Sequence, residues 1–366
     1  MKILYLTNHL NVGGITSYVF SLARGLRKKG HDVYLASSPG DRLDKFLGEG
    51  IEYLKVPLKT KQEFSPQVFL SIFKALSFIK EKEIDIIHSN TRVTQVLGTL
   101  LSKYSGKVHV STCHGFFKNR LSRKIFPCWG KKVVAISDSV KEHLVKDFLL
   151  DEQKIELIYN GIDLSRFTSE SSFSKAALRR KFGLKGSPII GIIARLSEVK
   201  GHIYLIQAMK EILEFYPKAQ LFIAGDGKIK DELVKLARRL GVFENIVFVA
   251  EISDTVEALS VMDIFVMPSL NEGLGLSLME AMAFGLPVIG SNVGGIKTLI
   301  QDGYSGVLVP AADSLSIAGA VVELLKDQKR AQYLGGNARN FINHKFSEEE
   351  MVSKTERLYK KCLNED

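Results

Sequence analysis

Residues Pro268–Pro287 read PSLNEGLGLSLMEAMAFGLP, and the fold turns on them. The apolar run before them, Asp263-Ile-Phe-Val-Met267, has the composition of a buried strand in a parallel sheet. The run after the glycines is amphipathic and stops at Gly285 and Pro287. A glycine-rich loop therefore carries the chain from the C-terminal end of a strand into a helix N-terminus. At such a junction Gly273 and Gly275 let the backbone approach a ligand, and the amides of Gly273, Leu274, Gly275 and Leu276 favour an anion such as a phosphate. Glu272 and Glu280 bracket this loop. Carboxylates repel phosphate but accept paired hydrogen bonds from a ribose diol or a sugar ring.

The segments upstream repeat the pattern. A strand at Ile189–Ile193 ends in Ala194-Arg-Leu-Ser-Glu-Val-Lys-Gly201, which places Arg195 and Lys200 at a strand end and a helix start. A forked guanidinium and an ammonium there are suited to neutralising a diphosphate. The strand Gln220–Ala224 ends in a second tight loop, Gly225-Asp226-Gly227. At the chain start, a strand at Ile3–Thr7, a loop with Gly13-Gly14, a helix closed by Gly30 and a strand at Asp32–Ser37 form a βαβ opening. It lacks G-x-G-x-x-G, which argues against a dinucleotide site. Strands and helices alternate through the whole sequence, so the fold class is α/β with doubly wound parallel sheets.

At 366 residues and 45% hydrophobic content the chain is long enough for two α/β domains. The expected boundaries are 1–165 and 188–345, with a polar linker at 168–174 and a last helix, 346–366, that crosses back onto the first domain. No apolar run reaches membrane-spanning length, and the first residues read as a strand, so a cytoplasmic protein is expected. Cys113, Cys128 and Cys362 lack metal-ligand spacing and read as reduced thiols. The net charge of +10 lies wholly in the first half, which has 25 Lys+Arg against 15 Asp+Glu through Asn160 and 25 against 25 after it. That half invites anionic partners, and it contains no nucleic-acid-binding module.

The combination of Glu272, GLGL, Glu280, AMAFGLPVI and Gly294-Gly295 resembles the signature of glycosyltransferase family 4, whose members are retaining, use nucleotide sugars and have the two-domain GT-B fold. Arg195 and Lys200 fit the same family's R…KG motif, and Asn160-Gly-Ile-Asp163 with Phe167 resembles the segment leaving its first domain. The resemblance implies two Rossmann-like domains facing a cleft, with the acceptor held by the first and the nucleotide-sugar donor by the second. It implies that Arg195, Lys200 and the Gly13-Gly14 and Gly273–Leu276 amides stabilise the departing diphosphate. Glu280 would hold the ribose and Glu272 the donor sugar. Gly225 and Asp226 would border the base, and His114 would orient the reacting face. Where the family usually has a glutamate after the Gly-Gly pair, this chain has Lys297 and Thr298.

The catalytic set expected is therefore Glu272, His114, Lys200 and Arg195. No Asp-x-Asp occurs, so neither a metal nor another cofactor is expected. Two further strand-end groups, His88 and Arg92, are candidates for the acceptor side. Between His114 and Asp138 there is no acid, while Lys118, Arg120, Arg123 and Lys124 are interleaved with aromatics that include Trp129. Phe117, Leu121 and Ile125 are spaced as one helical face, the composition of an element lying on an anionic membrane, so peripheral contact with the inner face of the cell membrane is expected. The reading is transfer of a sugar to a saccharide or lipid-linked anionic acceptor, in cell-envelope polysaccharide, lipopolysaccharide or glycolipid synthesis. Two alternatives stay open: an epimerase or hydrolase of the nucleotide sugar using His114 and Glu272 as acid and base, and an inactive membrane-bound scaffold.

Overall fold

The structure is a computed structural model that describes residues 1–60, 62–117, 121–167, 174–252 and 254–365. Two compact units are present, Met1–Gly161 with Ser347–Asp366, and Ile162–Phe346.

The first unit is built on strands β1 (Lys2–His9), β2 (Asp32–Ser38), β3 (Glu52–Lys55), β4 (Ile86–Ser89), β5 (Val108–Cys113), β6 (Lys132–Ala135) and β7 (Ile155–Leu157). They form one parallel sheet in the order β3-β2-β1-β4-β5-β6-β7. Successive side chains of a strand point to opposite faces, and β1 shows this directly. Ile3 and Tyr5 enter a core with Val19, Leu22 and Leu26 of the helix Gly14–Lys28 and Val352 and Tyr359 of the helix Glu348–Asn364. Leu4 and Leu6 enter the other core, with Val68, Ile72 and Ala75 of the helix Pro66–Lys82 and Leu97 of the helix Arg92–Ser105. Both faces are thus covered, as parallel strands require.

The second unit contains β8 (Ile189–Ile193), β9 (Gln220–Ala224), β10 (Ile246–Val249), β11 (Ile264–Met267), β12 (Val288–Ser291) and β13 (Val307–Val309), in the order β10-β9-β8-β11-β12-β13. Its core joins Ile190, Ile192 and Val266 to Leu205, Met209 and Ile212 of the helix His202–Phe215 and Val321 of the helix Ser314–Lys326. The break between units falls at Gly161, four residues before the position read from the sequence, because Leu164–Phe167 packs on the helix Leu276–Phe284. The helix Lys175–Lys181 also belongs to the second unit, packed on the helix Thr255–Ser260. Of the expected linker, 168–173 lies outside the described residues.

Cys113, Cys128 and Cys362 are all free thiols. Among the described residues no helix is long and apolar enough to cross a membrane.

Candidate active site

In each unit the strand order reverses beside the first strand, between β1 and β4 in one and between β8 and β11 in the other. In open parallel sheets the crevice outside the carboxyl ends of strands at such a reversal is where ligands bind. The two loops that flank it in the second unit are those of Arg195–Lys200, after β8, and Glu272–Leu276, after β11.

These loops are joined by backbone hydrogen bonds. Leu196 N–H donates to Asp226 O at 2.9 Å, Leu270 N–H to Val199 O at 2.8 Å, and Gly295 N–H to Glu272 O at 2.8 Å. The last bond explains one glycine of the Gly-Gly pair. A Cβ on Gly295 would sit 2.1 Å from Gly273 O, so only glycine lets the loop after β12 support the loop after β11. Gly275 is the N-cap of the helix Leu276–Phe284 with φ +102°, a left-handed conformation that strains other residues. No side chain caps this helix and its first turn contains no acid. No acid of the helix's own first turn offsets its N-terminal dipole, and the nearby Glu272 is engaged by Lys200.

Lys200 and Glu272, assigned separately from the sequence, are paired: Lys200 Nζ donates to Glu272 Oε2, across the reversal between β8 and β11. Both side chains are mostly covered, so the pair is a fixed element of the crevice rather than two mobile surface charges. Arg195 and Asp226 are exposed on neighbouring strand-end loops.

Glu280 occupies the second turn of the helix, with its side chain only 16% exposed. Burial pushes its carboxyl up to about 7 and nearby Asp254 pushes the same way, while the Arg166 guanidinium opposes them. Arg166 Nη1 stands 3.9 Å from Glu280 Oε1 and Arg166 Nη2 donates to Asp254 Oδ1 at 2.6 Å. Sequence reading passed over Arg166. Its only signal is a cation beside the Asn160-Gly-Ile-Asp163 motif, with nothing to connect it to a glutamate more than a hundred residues on.

In the first unit, the loop after β4 is tied to the C-terminal end of β1 through Thr91 Oγ1, which donates to Asn8 Oδ1. Gly13 precedes the helix Gly14–Lys28 in extended conformation, φ 165°, and no side chain caps that helix. A Cβ on Gly13 would meet nothing within 4 Å, so local packing does not demand a glycine. His114, after β5, makes a 3.1 Å hydrogen bond from Nε2 to Asn90 Oδ1 and an edge-on ring contact with Tyr18, centroids 4.7 Å apart. Burial lowers its pKa to about 3, so the ring is neutral at pH 7 and lacks the proton of a general acid. Asn90 and Tyr18 orient the ring, and neither stands in a recognisable motif.

Four expected acceptor or membrane residues are corrected. His88 is fully buried, with Nδ1 bonded to Tyr359 Oη and Nε2 to Thr112 Oγ1 at 2.7 Å. It ties the C-terminal helix to the sheet, with both ring nitrogens engaged inside the core. Arg92 is a clamp, with Nε donating to Glu63 Oε2 at 2.6 Å and its other nitrogens to the carbonyls of Phe126 and Pro127. Arg123 is 6% and Trp129 5% exposed, so neither touches a membrane. The Arg123 guanidinium lies 4.0 Å from the centroid of Phe117 and 5.2 Å from that of Trp129. The described helix here is Leu121–Ile125, and Phe117 packs on the Arg123 guanidinium. Lys124 is exposed, and Lys118 and Arg120 lie outside the described residues.

Two parallel-sheet, Rossmann-like units with glycine-rich loops at the strand ends define an α/β protein of GT-B type. Residues 12–166 match the family model Glycosyltransferase Family 4 and residues 174–341 match Glycosyl transferases group 1. An uncharacterized glycosyltransferase of Methanocaldococcus jannaschii is 30% identical over 95% of this chain and 94% of its own length. The chain belongs to this family of glycosyltransferases. An Escherichia coli UDP-Gal:alpha-D-GlcNAc-diphosphoundecaprenol alpha-1,3-galactosyltransferase is 28% identical over 90% of this chain and 88% of its own. Among solved structures, Anabaena Alr3699/HepE in complex with UDP and glucose superposes with a TM-score of 0.87 at 22% identity, over 98% of this chain and 99% of that one.

Proposed function

We propose that the chain is a retaining glycosyltransferase that moves a sugar from a nucleoside diphosphate to a saccharide or lipid-linked acceptor of the cell envelope, without a metal ion, on the cytoplasmic side. The observation that carries the donor site is the Lys200–Glu272 pair beside the uncapped helix at Gly275. Without donor, the two charges satisfy each other. An arriving diphosphate competes for the ammonium, and the released carboxylate becomes an acceptor for the hydroxyls of the sugar attached to it. One exchange thus turns a closed ion pair into a site for both halves of the donor. As the bond to the sugar breaks, charge grows on the diphosphate, and Lys200, Arg195 and the helix dipole stabilise it where it develops. Glu280, when ionised, accepts hydrogen bonds from the ribose diol.

His114 is neutral and its Nε2–H is given to Asn90, so the ring presents Nδ1 only as an acceptor, which disfavours an epimerase or hydrolase using it as an acid. The E. coli relative acts on a diphosphate-linked lipid, and the basic first half of this chain suits an acceptor of that charge. The test is incubation with nucleotide sugars and envelope acceptors in EDTA, with the product's anomeric configuration read by NMR. An α-linked product from an α-linked donor supports the reading. Inversion, or release of free sugar alone, contradicts it.

A further inference from the structure

The helix Pro66–Lys82 buries Val68, Ile72, Ala75 and Ile79 against the sheet. Its opposite face points away from the core and mixes Lys74, Ser77 and Lys80 with exposed apolar side chains. Phe73 is 79% exposed, Leu70 66% and Phe69 47%, on consecutive turns. A solvated helix normally carries charged residues there. Phe64, just before the helix, is also exposed and meets the ring of Phe126 edge-on, centroids 6.0 Å apart. Phe126 and its neighbour Ile125, 63% exposed, thereby extend the apolar face. The Arg92 clamp, bonded to Glu63 on one side and to Phe126 O on the other, holds these two segments together.

We propose that this face, Phe64, Phe69, Leu70, Phe73, Ile125 and Phe126, seats the chain on an anionic lipid surface. Charge decides the occupant. The one acid of the helix is Glu81 in its last turn, beside Lys82, while Lys74, Lys80 and Lys124 are exposed around the apolar side chains. A two-fold contact with a second copy would bring these lysines against themselves, whereas anionic headgroups neutralise them. Projecting aromatic side chains on a convex helix also suit insertion among acyl chains better than a flat protein contact. The surface shares Lys124, Ile125 and Phe126 with the stretch expected at 118–129 but centres on the helix Pro66–Lys82, while Arg123 and Trp129 of that stretch turn inward. It does not depend on the transfer reading, because the test below reads no turnover.

The test is flotation of the full chain with vesicles of phosphatidylglycerol and phosphatidylcholine or of phosphatidylcholine alone, beside the variant Phe69→Ser/Leu70→Ser/Phe73→Ser. All three positions are exposed, so the variant's circular dichroism is expected to match the parent's. The parent floats with the anionic vesicles and far less with the neutral ones. The triple variant loses about tenfold or more of that binding, as removal of three inserted apolar side chains requires. Lys74→Glu/Lys124→Glu weakens binding to the anionic vesicles alone. A parent that stays unbound, or a triple variant that floats like it, overturns the proposal. So does light scattering that finds an unbound parent dimer dispersed by the triple variant, which would assign the face to a second copy.

Discussion

Replacing Glu280 by Gln should stabilise the protein while weakening its donor site, and the pH dependence of the gain identifies the cause. The carboxyl titrates near 4.5 when exposed and is pushed up to about 7 by burial. Between those values the folded chain binds more protons than the unfolded one, so stability falls as pH rises through this window. The accumulated cost is on the order of 3 kcal/mol by about pH 8 and about 1 kcal/mol at pH 5. Glutamine has nearly the same shape and no charge to bury. Arg166 is not orphaned by the change, since it keeps Asp254 at 2.6 Å. In differential scanning calorimetry the second unit of Glu280→Gln should melt about 6–12 °C higher than the parent's at pH 8 and only a few degrees higher at about pH 5. An equal rise at both pH values, or none at pH 8, would refute burial of the charge as the origin of the shift.

The same geometry makes Arg166→Met informative. A charge pair at 3.9 Å is worth about 4 kcal/mol at an effective dielectric of 20, and exposure of the guanidinium reduces this to about 1 kcal/mol. Loss of the cation should raise the Glu280 midpoint by about one unit. Nucleotide affinity measured by calorimetry at pH 7 should then fall about fivefold and recover by about pH 9, whereas a purely structural defect would not recover. Lys200→Ala should lower kcat/KM by about 2–4 kcal/mol in transition-state stabilisation, and unchanged kinetics would remove Lys200 from the site.

The strand ends of the second unit were readable because their chemistry is written in glycines, which have few other reasons to cluster after an apolar run. Glu272, Arg195 and Lys200 come from such loops, and Glu280 from the helix that one of them leads into. What the loops do to one another was not readable. The Lys200–Glu272 bond joins residues 72 apart in sequence, and Arg166 reaches Glu280 from the other end of the unit. Solvent exposure was the other blind point. Arg123 and Trp129, expected at a surface, are buried because the guanidinium stacks on the rings of Phe117, Trp129 and Phe148. The outward turn of Phe69, Leu70 and Phe73 has no mark in composition, since apolar residues in a helix are ordinarily its core face. His88 is a similar case, since a histidine at a strand end reads as a ligand group until Tyr359 is brought onto it from the other end of the chain.

The most direct test of the donor site is titration calorimetry of the whole chain with UDP, GDP and ADP in turn, each in EDTA, beside Lys200→Ala and Glu280→Ala. Micromolar binding of one nucleotide by the parent, weakened at least about tenfold in both variants, is the result predicted. Binding that appears only when a divalent metal is restored, or that both variants retain, would contradict a metal-free diphosphate site built on Lys200 and Glu280.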